Sequence, residues 1–225
     1  MAISETSANL PKAVFPCLWL LFLAASAWAG GHPGVTLPTS DDKYSAFVRQ
    51  LEAGQTNIDY TDFRESFLVS QQFKVASTWT PDLSALRKQV HELMMRSKFA
   101  EIIDITTKML SVDYTDMEAH KILQQTYKTL GDIPNSNKYH NIELGLLTSI
   151  VKRGDGKTCQ TAWPIIQVNE EYFILQMLGA KLHKQSIDNT GGMCDKMEVQ
   201  TNQGNRVYYF EISKVFKSYN IHGIH

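Results

Sequence analysis

The stretch Gly154-Asp-Gly-Lys-Thr158 comes nearest to a chemical motif, because it ends like a phosphate-binding loop. Such a loop needs another glycine five positions before Gly156, where this chain has Val151. It also needs a strand before it and a helix after it, whereas here a helical pattern precedes and strand-like segments follow. The sequence therefore favours a polar turn at the end of a helix over a nucleotide site.

Glu170 and Glu171 are adjacent carboxylates that could serve as a general acid/base pair. Neighbouring positions on a helix point about 100° apart, so the two side chains would not face each other. Their place in the first turn of a predicted helix already explains them, since negative charge is favourable there. No nucleophile motif of the Gly-x-Ser-x-Gly type is present, and no catalytic residue is predicted.

Histidines are the remaining candidates for metal chemistry, and they are spread over the chain: His32, His91, His120, His140, His183, His222 and His225. His120 and His140 fall on successive predicted helices and could approach each other. No cysteine or carboxylate stands beside them at ligand spacing, so packing or surface roles are favoured. The sequence predicts neither a metal site nor a cofactor.

The elements that position these residues begin after a predicted signal peptide, residues 1–29. Lys12 precedes an apolar run at residues 13–25, and Ala27-Trp-Ala29 has the small residues of a cleavage site before Gly30. An uncleaved anchor is the alternative, but the run is short for a bilayer span and contains Pro16. The expected location is therefore periplasmic or secreted, with no membrane span after cleavage.

Charge and cysteine content limit the function further. The net charge is −1 over 225 residues, with no basic run, which argues against nucleic acid as a partner. Only Cys159 and Cys194 would survive cleavage, and an even pair in an oxidising compartment predicts a disulfide. Two separate buried thiols are the alternative.

Residues 30–41 are rich in Gly, Pro, Ser and Thr and predict a flexible leader, and residues 42–153 predict a helical part. Helices are expected at residues 42–53 and 59–67, and an extended connector at 70–81. Residues 82–157 contain an internal repeat: residues 93–99 align with residues 127–133 at an offset of 34 residues. This offset is the period of tetratricopeptide repeats. We expect two helical hairpins, which cannot bury a continuous core alone.

Residues 154–225 predict a small α/β part that packs on the helices. A helix at 169–179 begins with two glutamates and ends at Gly179. The other predicted elements are a final helical turn at 214–219 and four strands, at 163–168, 182–187, 197–201 and 206–212. The fold class is therefore α+β, with tetratricopeptide-like hairpins packed against a small, mostly antiparallel sheet.

Several short segments occur in an order that resembles an uncharacterised family of exported bacterial proteins, a domain of unknown function. They include residues 59–64, 154–158, 163–172, 178–179 and 208–212, and the resemblance covers about residues 55 to 217. The resemblance implies export and the architecture above, and it brings no assigned activity. Arg64 and Asp155 are polar positions typical of this family, for which a salt bridge or a cap is favoured over a binding role.

Two functions follow as hypotheses. The favoured one is a non-enzymatic envelope protein that binds a protein or peptide through the groove of the repeat helices. The alternative is an enzyme or small-ligand binder with a site between the helices and the strands. Its candidate binding residues, together with the family-like positions, are Arg64, Asp155, Lys157, Glu171 and Tyr172.

Overall fold

The computed structural model describes residues 34–223, apart from the side chain of Pro81. The predicted signal peptide and the first residues of the leader lie outside this range. Within it the helices are α1 (Lys43–Glu52), α2 (Tyr60–Leu68), α3 (Gln71–Thr78), α4 (Thr80–Met95), α5 (Phe99–Val112), α6 (Met117–Leu130), α7 (Ile133–Val151), α8 (Val168–Met177) and α9 (Ser213–His222). The strands are β1 (Trp163–Pro164), β2 (Lys181–Asp188), β3 (Cys194–Thr201) and β4 (Gly204–Glu211). The predicted α+β class is confirmed.

Helices α4 to α7 form the two hairpins expected from the internal repeat. α5 begins at Phe99 and α7 at Ile133, and these two residues correspond under the 34-residue shift. Gly131 ends α6 in the left-handed conformation, with φ of 78°, which glycine adopts without steric cost. Asp132 then caps α7 by accepting a hydrogen bond from the Asn135 backbone. Tetratricopeptide-type packing of the two hairpins stays a prediction.

The extended connector predicted at residues 70–81 is wrong, because this segment contains α3 and the start of α4. The Ser70 side chain accepts a hydrogen bond from the Phe73 backbone and caps the helix. Phe73 and Ala76 then face the core. Two inward residues three positions apart are enough to hold a short helix by tertiary packing, although they are a weak periodic signal.

The sheet has the strand order β1-β4-β3-β2. Strands β2, β3 and β4 are antiparallel, and the two-residue β1 pairs with β4 in parallel, so the sheet is mixed but mostly antiparallel as predicted. Only residues 163 and 164 of the predicted strand at 163–168 form a strand, and α8 already begins at Val168.

Helix α8 joins the helical part to the sheet. On one side the Lys121 ammonium of α6 lies 5.5 Å from the ring centre of Phe173. On the other, the Tyr172 hydroxyl lies 3.1 Å from Gln185 Oε1 of β2. One hydrophobic cluster extends from Tyr44 in α1 to Val215 in α9 and includes both sets of elements. No helix of residues 34–223 is long and apolar enough to cross a membrane.

The predicted disulfide is confirmed, with Cys159 and Cys194 bridged and their Cα atoms 5.8 Å apart. It joins the segment after α7 to the start of β3. Replacing both cysteines with serine is expected to lower the free energy of unfolding by about 3 to 4 kcal/mol. The bridge joins residues 35 positions apart, and the loop it closes lowers the conformational entropy of the unfolded chain.

Urea unfolding of wild type and double variant, each with and without reductant, would measure this difference. Reductant should lower the stability of the wild type to that of the variant and leave the variant unchanged. Equal stability of the oxidised wild type and the variant would contradict the prediction.

Candidate functional site

A partly enclosed cavity of the described residues lies where the helical part meets the C-terminal part, between α3, α4 and α9. We name it the α3–α4–α9 cavity; its volume is about 410 Å³. Its walls are mostly apolar, and they are formed by Phe67, Phe73, Ala76, Leu83, Ile166, Val168, Val215, Phe216 and Tyr219. Three other depressions, of about 430 to 510 Å³, are more open to solvent.

One end of the cavity is polar, and its centre is Asp113. This residue follows the last residue of α5 and is 2 % exposed. Its Oδ1 accepts hydrogen bonds from the Thr115 backbone, at 2.8 Å, and from the Thr115 hydroxyl, at 2.6 Å. Its Oδ2 accepts one from Gln167 Nε2 at 2.8 Å. Burial, followed by the neighbouring Asp116, raises the pKa of Asp113 to about 6.

Arg87 of α4 is the cation at the polar end of the cavity. Its guanidinium forms an ion pair with Asp116, the N-cap of α6, and a second one with Glu118 at 3.2 Å. Two carboxylates therefore neutralise this one cation. The pairs also fasten the start of α6 to α4.

The sequence alone does not predict Arg87, Asp113 or Gln167 as site residues. Gln167 is 54 positions from Asp113, and Arg87 is 29 from Asp116, so no local spacing connects them. The one available signal is the segment between α5 and α6, where Asp113 and Asp116 flank a predicted helix end.

Arg64, a predicted binding residue, is buried in an ion pair instead of facing a cavity. Its Nε and one terminal nitrogen donate to the two oxygens of Glu170 at 3.0 and 2.7 Å. The same guanidinium reaches the Pro164 carbonyl at 3.1 Å and the Ser149 hydroxyl at 3.4 Å. It thereby connects α2, α7, β1 and α8.

Glu171 is fully buried between α8 and the sheet, and its environment differs from that of Glu170. No group of the described residues donates a hydrogen bond to either of its oxygens. Burial, followed by the Asp195 and Glu170 carboxylates, raises the pKa of Glu171 to about 9. Since two ionised carboxylates have no proton to share, the close contact with Asp195 becomes a hydrogen bond only when Glu171 is protonated. Tyr172, the next residue, is exposed and contacts Gln185.

Asp155 and Lys157 lie on an exposed turn after α7. Asp155 accepts hydrogen bonds from the Thr161 hydroxyl at 2.6 Å and the Lys157 backbone at 3.1 Å, and these bonds lower its pKa. A short 3-10 helix follows the turn, where a phosphate-binding loop would have an α-helix. Among residues 34–223 no hydrogen bond or ion pair joins these two residues to Arg64, Glu171 or Tyr172. The five predicted residues therefore do not converge on one site.

His120 and His140 have separate environments. His120 is buried, donates from Nε2 to the Tyr114 carbonyl at 2.8 Å and packs against Tyr139. Burial lowers the pKa of His120 to about 4, so it is neutral at pH 7. Between residues 34 and 223 no group of three or more His, Cys, Asp or Glu side chains could hold a metal ion.

Comparison with known proteins gives one result. Neither the curated proteins nor the solved structures contain a significant match. Residues 36–221 match a family model described as a domain of unknown function (DUF4919), which spans both the helical part and the sheet. The chain therefore belongs to the DUF4919 family, as the order of its short segments indicated.

Proposed function

We propose that this chain is an exported, non-enzymatic protein that binds a small, largely apolar ligand in the α3–α4–α9 cavity. The cavity itself is the observation that carries the proposal. Its volume of about 410 Å³ falls within the range of about 300 to 1,000 Å³ that is typical of small-molecule sites. Apolar walls with a few polar groups at one end are also the usual composition of such sites.

Two observations support export. The sequence of residues 1–29 has the pattern of a signal peptide, and the Cys159–Cys194 bridge is compatible with an oxidising compartment. Reducing cytosol would not maintain this bridge as a structural element.

The residues around the cavity favour binding over catalysis. No histidine, cysteine or lysine is among the described residues that line it. The hydroxyls of Ser77 and Thr80 donate to the backbone carbonyls of Lys74 and Ser77 in the preceding turn, and not to a basic side chain that could activate them as nucleophiles.

The groove of the repeat helices has less room for a peptide than the sequence suggested. α8 covers part of α6, one of the repeat helices, with Lys121 in contact with both Phe173 and Met177. The gap beside Met117 and Phe173 has a volume of only about 10 Å³. The small-ligand hypothesis is therefore favoured over the peptide hypothesis, and its site lies at a different part of the seam from Asp155, Lys157 and Glu171.

Titration of the mature chain, residues 30–225, with the neutral fluorophore N-phenyl-1-naphthylamine would test the proposal. Saturable binding at one site per chain is expected. Ser77→Trp fills the cavity from a half-buried position and should weaken binding at least about tenfold, which corresponds to about 1.4 kcal/mol.

Leu144→Trp is the matched control, since Leu144 lines an open depression beside α7 instead. Circular dichroism would verify that both variants are folded. The proposal is overturned if the wild type shows no saturable binding, or if both variants lose affinity equally.

A further inference from the structure

The polar end of the α3–α4–α9 cavity has an excess of negative charge. Asp113 and Arg87 belong to its lining, and Asp116 and Glu118 form ion pairs with Arg87. When all are ionised, three carboxylates surround one guanidinium. A ligand carboxylate or phosphate would therefore meet repulsion from the surrounding acids even if it reached Arg87.

The same end has more hydrogen-bond acceptors than donors. Gln167 Nε2 already donates hydrogen bonds to Asp113 Oδ2 and to the Thr115 hydroxyl oxygen, at 2.8 Å each. Gln167 Oε1 accepts no hydrogen bond from a described residue but is not fully buried, whereas the buried Oδ1 of Asn169 has no partner. Buried acceptors without donors are costly, so a ligand that brings donors is favoured.

Asp113 keeps the capacity for one further hydrogen bond. Its carboxylate can accept about four, and the described residues supply three, two to Oδ1 and one to Oδ2. The free position belongs to Oδ2, the oxygen that faces Gln167 of the cavity lining.

From these contacts we propose that the ligand of the cavity is an organic cation, a small molecule with an apolar or aromatic body and a protonated amine that pairs with Asp113. The apolar walls would hold the body, and Asp113, Gln167 and Asn169 would accept the N–H groups. This inference rests on the proposed function, because it assigns the ligand class of the same cavity.

Binding of such a cation depends on the ionisation of Asp113. The charged and titratable groups around it are Tyr44 of α1, Arg87 of α4 and Asp116 at the start of α6. Because the pKa of Asp113 is about 6, the carboxylate is mostly protonated at pH 5 and mostly ionised at pH 7. The affinity for a cation should rise between these two pH values, whereas the affinity for a neutral analogue should not.

Three probes with the same ring system separate the alternatives: 1-naphthalenemethylamine, 1-naphthalenemethanol and 1-naphthoate, each titrated calorimetrically into the mature chain at low ionic strength. At pH 7 the amine should bind at least about tenfold more tightly than the alcohol, as a charge-assisted hydrogen bond predicts, and the carboxylate more weakly than the alcohol. Asp113→Asn should make the affinities for the amine and the alcohol equal. Asp155→Asn, on an exposed turn, should leave the affinities for all three probes unchanged.

The pH series on the wild type needs no variant, so it tests the inference even if Asp113→Asn is unstable. Equal affinity for amine and alcohol, or a preference for the carboxylate, overturns the inference and leaves the proposed function in place. Absence of binding by all three probes overturns both.

Discussion

Replacing Glu171 with glutamine is expected to stabilise the protein by about 3 kcal/mol at pH 7. Glu171 is fully buried beside Asp195 and Glu170, which raises its pKa from 4.5 to about 9. The unfolded chain releases this proton above about pH 4.5, and the folded chain retains it. Glutamine has the shape of the protonated acid and can donate a hydrogen bond to Asp195, but it releases no proton on unfolding.

The sign of the pH dependence follows from this difference. Because the pKa is higher in the folded state, the contribution of Glu171 to stability is fully present below pH 4.5 and is lost as the pH rises through about 9. Between these values the free energy of unfolding should fall by about 1.4 kcal/mol per pH unit, or by about 6 kcal/mol in total.

Urea denaturation of the wild type and Glu171→Gln at pH 5, 7 and 8.5 would measure this pH dependence of the free energy of unfolding. The advantage of Glu171→Gln over the wild type should grow from about 1 kcal/mol at pH 5 to about 5 kcal/mol at pH 8.5. Tyr172→Phe is the control, because it removes one exposed hydrogen bond on the same helix and no carboxyl group. If the wild type and Glu171→Gln differ by the same amount at all three pH values, Glu171 is not protonated in the folded state.

The two adjacent glutamates show how far the sequence could predict this region. Their position in the first turn of a helix was correct. Their different environments were not visible, because Glu170 pairs with Arg64, whereas Glu171 lies beside Asp195. Arg64 and Glu170 are 106 positions apart, and no local pattern encodes such a contact.

Helices and strands were easier to predict than the cavity, because they depend on local sequence patterns and the cavity depends on contacts between distant residues. Periodic apolar residues and capping residues are local, so α5 to α8 and the β3–β4 hairpin could be predicted from short windows of sequence. The cavity requires α9 to lie against α3. It does so through the ring contacts of Tyr219 and His222 with Phe73, and a hydrogen bond from His222 to the Leu68 carbonyl joins α9 to the end of α2. These contacts join residues that are distant in sequence.

Replacing Arg64 with methionine is expected to destabilise the protein by about 3 to 5 kcal/mol at pH 7. The guanidinium is 3 % exposed and is the cationic partner of Glu170, which is also buried. Without it, Glu170 must either remain charged in an apolar environment or take up a proton, and both cost free energy. The Pro164 carbonyl would lose a hydrogen-bond donor at the same time.

The double variant Arg64→Met with Glu170→Gln separates the charge from the packing. Removing both charges should recover part of the loss, since no unpaired ion is then left in the core. Recovery is not expected to be complete, because the Pro164 carbonyl still lacks the hydrogen-bond donor that Arg64 supplies in the wild type.

Lys214→Met offers a comparison at the surface, because it breaks the partly exposed ion pair of Lys214 with Glu65 and should cost less than about 1 kcal/mol. Denaturant unfolding of the wild type, Arg64→Met, the double variant and Lys214→Met would rank the four proteins by their free energy of unfolding. A loss in Arg64→Met no larger than that in Lys214→Met would show that the buried pair does not hold α2 against α8. Since α2 supplies Phe67 to the cavity and α8 supplies Asn169, such a result would also remove the structural basis for a preformed binding site.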